Sequence, residues 1–512
     1  MKYPLGIQTF SEIRDEGYIY VDKTQFVYDL IASGKHYFLS RPRRFGKSLL
    51  ISTLESVFLG QKALFDGLAI ATTDHDFAAY PVIKLEFAKD EFATADNLRE
   101  CIYYAVDRIA NDNGIELTTN TYNQRFEELV IKLHKQTGSK VVLLIDEYDK
   151  PILNNLNTPV LSEIKKVISA FFAVAKSVDE HLKFVFITGV SKFAKVSVFS
   201  GMNTLTDISM NKRFAAICGV TSKELEANFS GAIDELANSE QLDRPKLLAK
   251  IKHWYNGYKF HQQSSGVYNP YSLLRLFFEL EFKNFWYTTA TPAFLLDLLQ
   301  QRQYDLSDLT EHEVAVEAFD ATEPEHIDVQ SVFLQTGYLT IKEYHAPFFQ
   351  LGFPNYEVES SFYSSVAARY GGIGLGQGSS FAMKLVQSLN KQDFSLFFAT
   401  MSVFFANIPN NITIDNEKYY QSLFFAVIKL LGLNADVEVN TNIGRMDCVI
   451  ETKDMICIIE FKLDGTKEQA LAQVIDKNYA QQYQLSDKNI VLIGVEFDKA
   501  GRNIAGWLSK SQ

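Results

Sequence analysis

The stretch that most constrains the fold begins at His36: "HYFLSRPRRFGKSLLISTLESVF". Five residues suited to a buried strand lead into a short basic loop ending in Gly46-Lys47-Ser48, and a run of good helix formers follows. A loop that closes on a helix start in this way points backbone N–H groups and the positive end of the helix at one place, which suits a phosphate. Gly46 would let that backbone approach closely, Lys47 would neutralise the β and γ phosphates, and the Ser48 hydroxyl would ligate Mg²⁺. Arg41 stands where the general pattern G-x-x-x-x-G-K-[ST] has its first glycine. The proline in "RPRRF" is expected to supply a different fixed turn. Lys47 is expected to stand exposed until a ligand arrives.

Short apolar runs recur downstream, from Val82 to Phe87, from Val141 to Ile145 and from Phe184 to Thr188, separated by helical patterns such as "NQRFEELVIKLHKQ". That alternation predicts a parallel α/β sheet covered by helices. In "VVLLIDEYDKP" the acids Asp146 and Glu147 follow the strand directly. The first is placed to hold magnesium with its water shell and the second to polarise an attacking water. The third run, "KFVFITGVSKF", ends in Thr188 and Ser191, which would either present a hydroxyl beside the γ-phosphate or cap the next helix. Arg41, Arg43 and Arg44 would brace phosphates, pair with core acids or face a neighbouring subunit. Asp22 and Lys23 would line a base pocket or form a structural ion pair.

Beyond the first 220 residues the pattern is mostly helical over 221–289 and suits a lid. The stretch 290–360 reads as a helix, a short helix and a two-stranded hairpin, a winged-helix-like module. Residues 361–408 form a helix-rich linker, with the spaced glycines of "YGGIGLGQGSS" read as flexible rather than dinucleotide-binding. A last α/β unit at 409–512 has a leading helix, three short strands, an amphipathic helix and a further strand.

Composition narrows the function classes. With 512 residues several domains are expected, and the formal net charge of -12 argues against a protein that coats nucleic acid by bulk charge. The four cysteines form no C-x-x-C pair, and the nine histidines show no zinc spacing. The first residues lack the apolar core of a signal peptide, so a cytoplasmic protein with no membrane segment is expected.

A second constellation lies in "GRMDCVIETKDMICIIEFKLDG". Glu460 and Lys462 are two apart on one strand and share a face, while Phe461 packs the other way. Hairpin pairing would bring Asp447 beside them. Two carboxylates can hold Mg²⁺ or Mn²⁺ against a phosphodiester, and the lysine can orient water or stabilise the transition state. The alternative is an ordinary solvated strand surface. The next helix carries Gln473, with Tyr479 and Tyr483 beyond it.

The segments "YIYVDKTQFVYDLI", "LSRPRRFGKSLL", "LLIDEYDKP", "ITGVSKF", "WYNGYKF" with "VYNPYSLL", and "FQLGFPNYEV" resemble the AAA-ATPase-like family of bacterial proteins, which is similar to archaeal and STAND-type P-loop ATPases. In that family "RPRRFGKS" is the usual form of the loop. The last unit resembles the PD-(D/E)XK nuclease superfamily. The resemblance implies Asp447, Glu460 and Lys462 as the catalytic core, Gln473 in support, and Glu417 as the acid of the leading helix. It implies ATP and Mg²⁺ as cofactors and nucleic acid as partner, DNA in preference to RNA. It also allows a homo-oligomer in which Arg41, Arg43, Arg44 or Arg213 acts across an interface. The expected architecture is thus a P-loop NTPase parallel sheet with a helical lid, the winged-helix-like module and a nuclease-like α/β domain. ATP binding or hydrolysis would control a metal-dependent phosphodiesterase. The rival expectation is a nucleotide-switched interaction or nucleic-acid-binding protein.

Overall fold

In the computed structural model the apolar runs become the strands of one parallel sheet: β1 (His36–Ser40), β2 (Val82–Glu86), β3 (Val141–Asp146), β4 (Leu182–Gly189) and the two-residue β5 (Thr206–Asp207). The strand order is β2-β3-β4-β1-β5, and every pairing is parallel. Every residue of β1 and β3 is buried, as strands covered on both faces must be. The structure describes the chain apart from residues 88–91, 157, 193–198, 200, 201, 203, 287–292, 303, 305, 307, 312, 321–327, 372–377, 409–416, 432, 433, 442 and 443. The glycine-spaced stretch 372–377, read above as flexible, lies outside the described residues.

Helices Ala95–Asp112, Tyr122–Thr137 and Leu161–Ser177 pack their apolar faces onto this sheet. Leu98, Phe126, Ile164 and Phe171 join Leu143, Ile145 and Val185 in one buried cluster. Each such side chain contributes about 1.5–3 kcal/mol on burial. Thr94 and Thr121 cap the first two of these helices, accepting from the Asn97 and Gln124 N–H groups. Helices Ser222–Asn228, Ser230–Glu240, Arg244–Tyr255 and Pro270–Glu279 gather around a separate core that includes Ile233, Leu247, Tyr255 and Leu273.

A second sheet has three strands, β6 (Glu313–Ala315), β7 (Thr340–His345) and β8 (Phe348–Gly352), in the order β6-β8-β7. The expected hairpin is β7–β8. The added β6 is too short to show a strand period. The chain divides into two compact units, Met1–Ala290 with Glu313–Tyr356, and Thr291–His312 with Glu357–Gln512, so the stretch 290–360 is shared between them.

In the second unit the helix Glu417–Leu430 precedes β9 (Asn434–Thr441), β10 (Gly444–Glu451), β11 (Met455–Lys462), β12 (Asn489–Asp498) and β13 (Asn503–Ser511). Their order is β13-β12-β11-β10-β9, and only β11 and β12 run parallel, joined across the helix Lys467–Asp476. Strand β13 was not among the expected strands. It is an edge strand with largely half-exposed residues, so "NIAGWLSKS" lacks the apolar signature of a buried one. Among the described residues no helix is long and apolar enough to cross a membrane.

Candidate functional site

The carboxyl ends of β1, β4 and β3 lie side by side, and they carry the motif residues. Ser40 pairs with Gly189, and Ile145 with Ile187, which sets Thr188 level with Asp146. Beyond β1, Gly46 precedes the helix Lys47–Phe58 with a left-handed φ of 88°, a conformation that favours glycine. No side chain caps this helix and no acid sits in its first turn, so its leading N–H groups keep their affinity for an anion. Ser48 is half-buried in that first turn.

The Lys47 ammonium departs from expectation. It is buried, donating to the Arg41 carbonyl at 3.0 Å and the Pro42 carbonyl at 3.1 Å. The loop curls around the helix start and turns these carbonyls inward, and a buried ammonium needs such acceptors. Asp146 is buried at the end of β3; its Oδ1 accepts from the Thr188 hydroxyl and, at 3.0 Å, from the Glu147 N–H. The Thr188 hydroxyl thus acts on the acid. The Ser191 hydroxyl donates to Asp149 Oδ2 at 2.7 Å. Glu147 has a positive φ of 53°, an uncommon conformation for a non-glycine residue that recurs at functional sites. Burial raises the pKa of its carboxyl and the Lys47 charge opposes that rise, so the group is suited to take a proton from water.

The arginines separate. Arg41 is buried: its guanidinium donates to the Ser40 and Ser209 carbonyls at 2.9 and 2.7 Å and to that of Phe214 at 3.1 Å. It also stacks 3.9 Å from the Phe260 ring, so it reaches neither a phosphate nor a second subunit. Arg43 offers its carbonyl to the Trp286 indole at 3.0 Å. Arg44 is exposed over the Tyr271 ring, and Arg213 pairs with Asp29 at 3.3 Å. Asp22 is structural, accepting from the Thr24 and Ala69 N–H groups at 2.8 and 2.7 Å. Lys23 forms the expected ion pair and also lines a cavity. It pairs with Glu224 at 2.6 Å and lines an apolar cavity of about 100 Å³ beside Gly46, with Tyr20, Leu50, Cys218 and Leu274 among its walls. The cavity walls come from separate segments, and no local motif marks them.

In the second unit the register places Cys448 opposite Ile459, and Asp447 next to the Glu460–Phe461 step. Asp447 Oδ2 accepts from the Phe461 N–H at 2.8 Å. The Phe461 ring points into the core against Phe424. Lys462 Nζ lies 3.8 Å from Glu460 Oε1, the oxygen to which the Gln473 amide also donates. Glu417 accepts from the Leu463 N–H at 2.8 Å, so all five sequence-selected residues surround the end of β11. Glu460 is 2% exposed, and its Oε2 is buried without a hydrogen-bond partner among the described residues. Burial, with the Asp447 charge adding to it, pushes the Glu460 pKa up to about 8. Lys477, one helical turn beyond Gln473, adds a positive charge toward Glu460 that the sequence reading did not assign. Among the described residues no cluster of three or more His, Cys, Asp or Glu side chains could hold a metal. Two carboxylates with one orphaned oxygen still fit a hard divalent cation that keeps most of its water, as Mg²⁺ does.

A profile of the family described as "Predicted AAA-ATPase" matches residues 4–199, and one described as "PD-(D/E)XK nuclease superfamily" matches residues 415–507. The chain is 37% identical over 527 residues to an "Uncharacterized protein in vnfD 5'region" of Azotobacter chroococcum mcd 1, covering 100% of this chain and 99% of that one. Fold and sites together define a P-loop NTPase joined to a nuclease-fold domain. The chain belongs to the AAA-ATPase-like family and carries a PD-(D/E)XK nuclease superfamily domain at its C-terminus, domains that point to ATPase and nuclease functions.

Proposed function

We propose that the protein binds and hydrolyses ATP at the loop after β1, and that its nucleotide state controls a metal-dependent phosphodiesterase acting on DNA in preference to RNA. What carries the reading is convergence. Lys47, Asp146, Glu147 and Thr188 come from three adjacent strand ends, while Asp447, Glu460, Lys462 and Gln473 meet at one end of β11.

At the first site the N–H groups at the start of the helix Lys47–Phe58 would receive the phosphates, with Arg43 and Arg44 on the same loop. Lys47 would exchange the Arg41 and Pro42 carbonyls for phosphate oxygens. Ser48 and Asp146 would hold Mg²⁺, Thr188 keeping the acid oriented. Glu147 would align the attacking water and accept its proton. The apolar cavity beside Gly46 would take the base.

At the second site Asp447 and Glu460 would hold a divalent cation, Mg²⁺ or Mn²⁺, which when bound supplies Lewis-acid activation of water and of a phosphodiester. Gln473 fixes Glu460 Oε1 and leaves Oε2 for that ligand. Lys462 sets a positive charge where negative charge develops in the transition state.

Purified wild-type protein should turn over ATP with Mg²⁺ and nick plasmid DNA with Mg²⁺ or Mn²⁺, losing both with EDTA. Lys47→Ala should abolish the first activity and Asp447→Ala the second. If Lys47→Ala binds ATP normally, the first site is misassigned. If Asp447→Ala cuts as fast as wild type, the nuclease lies elsewhere. ATP binding without cleavage on any DNA or RNA substrate would favour the nucleotide-switched binding protein.

A further inference from the structure

Two segments flank the nucleotide site, the loop after β1 and residues 190–192 after β4, and each is held by a side chain from outside the parallel sheet. In the first, Arg43 offers its carbonyl to the Trp286 indole N–H at 3.0 Å. In the second, the Lys192 N–H donates to the Gln335 side-chain carbonyl at 2.6 Å. Gln335 lies at the end of the helix Val329–Thr336, and Trp286 packs against Tyr338 with ring centroids 5.2 Å apart. Between the two contacts, Gly337 lies flush on the first loop. It has a φ of 89°, and a Cβ there would stand 2.6 Å from the Pro42 ring. Lys259, whose N–H donates to Thr340 Oγ1 at 2.8 Å, ties the same module to the segment after the helix Arg244–Tyr255.

The first loop is also where Lys47 is stored. Its ammonium sits on the carbonyls of Arg41 and Pro42, the residues just before the one Trp286 holds. A nucleoside triphosphate that draws Lys47 to its phosphates removes the donor from both carbonyls, and the loop must then settle against whatever holds it from behind. We propose that Trp286 and Gln335 are positioning residues of the nucleotide site: Trp286 fixes the loop after β1 in the phosphate-accepting arrangement, Gln335 fixes residues 190–192 beside Asp146, and through them residues 313–356 register whether a nucleotide is bound. The inference rests on the assignment of the loop to ATP, and it names what reads that site.

The test uses the full chain, with ATP affinity from calorimetry and tryptophan emission recorded as Mg·ATP is added. Wild type should change emission on binding, and Trp254→Phe and Trp507→Phe should keep that change. Trp286→Phe keeps an aromatic ring and deletes the N–H. It should lose the emission change and bind ATP about fivefold more weakly, the equivalent of one hydrogen bond. Gln335→Leu should weaken binding similarly, and Gln335→Glu, which keeps the acceptor, should restore it. A role in stability alone would not give this pattern of loss and rescue. Unchanged ATP affinity in both Trp286→Phe and Gln335→Leu, or an emission change that survives Trp286→Phe, overturns the assignment. Should Trp286→Phe not fold, the Gln335 pair decides alone. Wild type that binds no ATP overturns the reading of the loop itself, whereas wild type that binds ATP with flat emission overturns only the positioning roles.

Discussion

Glu460→Gln probes the second site without a substrate. The wild-type carboxyl is buried and titrates at about 8, against an ordinary glutamate value of 4.5. Between those two values the folded protein holds a proton that the unfolded chain has released. Stability therefore falls as pH rises, by about 1.4 kcal/mol per pH unit, and levels off above pH 8. The full span corresponds to at most about 5 kcal/mol, and about 3 kcal/mol is a sound working figure once relaxation around the charge is allowed for. Glutamine keeps the shape and can still accept from the Gln473 amide, yet it never ionises. Glu460→Gln should thus gain on wild type steadily from pH 5 to pH 8 in metal-free buffer. Urea unfolding followed by Trp507 emission, with Trp254 and Trp286 replaced by phenylalanine, reads the second unit, because Trp507 lies on β13 and stacks 5.2 Å from Phe398. Saturating Mg²⁺ should restore wild type at pH 8 by ionising Glu460 against the cation, and should do little for the variant. Wild-type and variant pH profiles that superimpose from pH 5 to pH 9 would refute the argument that Glu460 is held protonated.

Glu147→Gln should bind ATP with near wild-type affinity and lose turnover, on the order of a hundredfold or more; calorimetry and phosphate release measure the two separately. Lys462→Ala should leave Mg²⁺ or Mn²⁺ binding intact and slow cleavage roughly a hundredfold, read as nicking rate at saturating metal. Arg41→Ala should cost about 3 kcal/mol or more in the first unit, because it removes the Arg41 donor from the Ser209 carbonyl, leaves the Phe214 carbonyl with the Ile217 N–H alone and opens a cavity under Phe260; thermal unfolding checks this.

What the residues made legible is what local pattern controls. Strands β1, β3 and β4 announce themselves as apolar runs, because a strand buried on both faces has no polar alternation to disguise it, whereas β2 alternates buried Ile83 and Leu85 with half-buried Lys84 and Glu86. The pairing of Asp447 with Glu460 follows from a tight connection between two strands, since side-chain period and hairpin register leave little choice. Strands β5 and β6 have two and three residues and carry no period. Long-range contacts decide the rest. Asp149 carries no assignment from the sequence, yet it anchors the Val190 and Ser191 N–H groups after β4. Lys47 reads as a solvent-facing phosphate ligand, yet its own loop's carbonyls bury it. The unpartnered oxygen of Glu460 depends on how closely the helix Lys467–Asp476 covers β11, a property of packing that no spacing encodes.

Arg41 shows how a loop keeps its chemistry after losing a glycine. A buried guanidinium ordinarily calls for a carboxylate, and burial, opposed in part by Cys218 and the Asp207 charge, pushes its pKa down to about 10, still well above neutrality. Here the charge is met mainly by peptide carbonyls, those of Ser40, Ser209 and Phe214, and by the face of Phe260. Ser40 ends β1 itself, and the other partners belong to the segment after β5 and to the residues following the helix Arg244–Tyr255, so one side chain joins the phosphate loop to two other parts of the unit. A glycine would leave the turn after β1 free to sample many conformations, at an entropic cost each time it closed on a ligand. Arg41 removes that freedom in advance, and its carbonyl then holds the Lys47 ammonium in reserve. The side chain is withdrawn from the phosphates, while its backbone remains at the centre of the site.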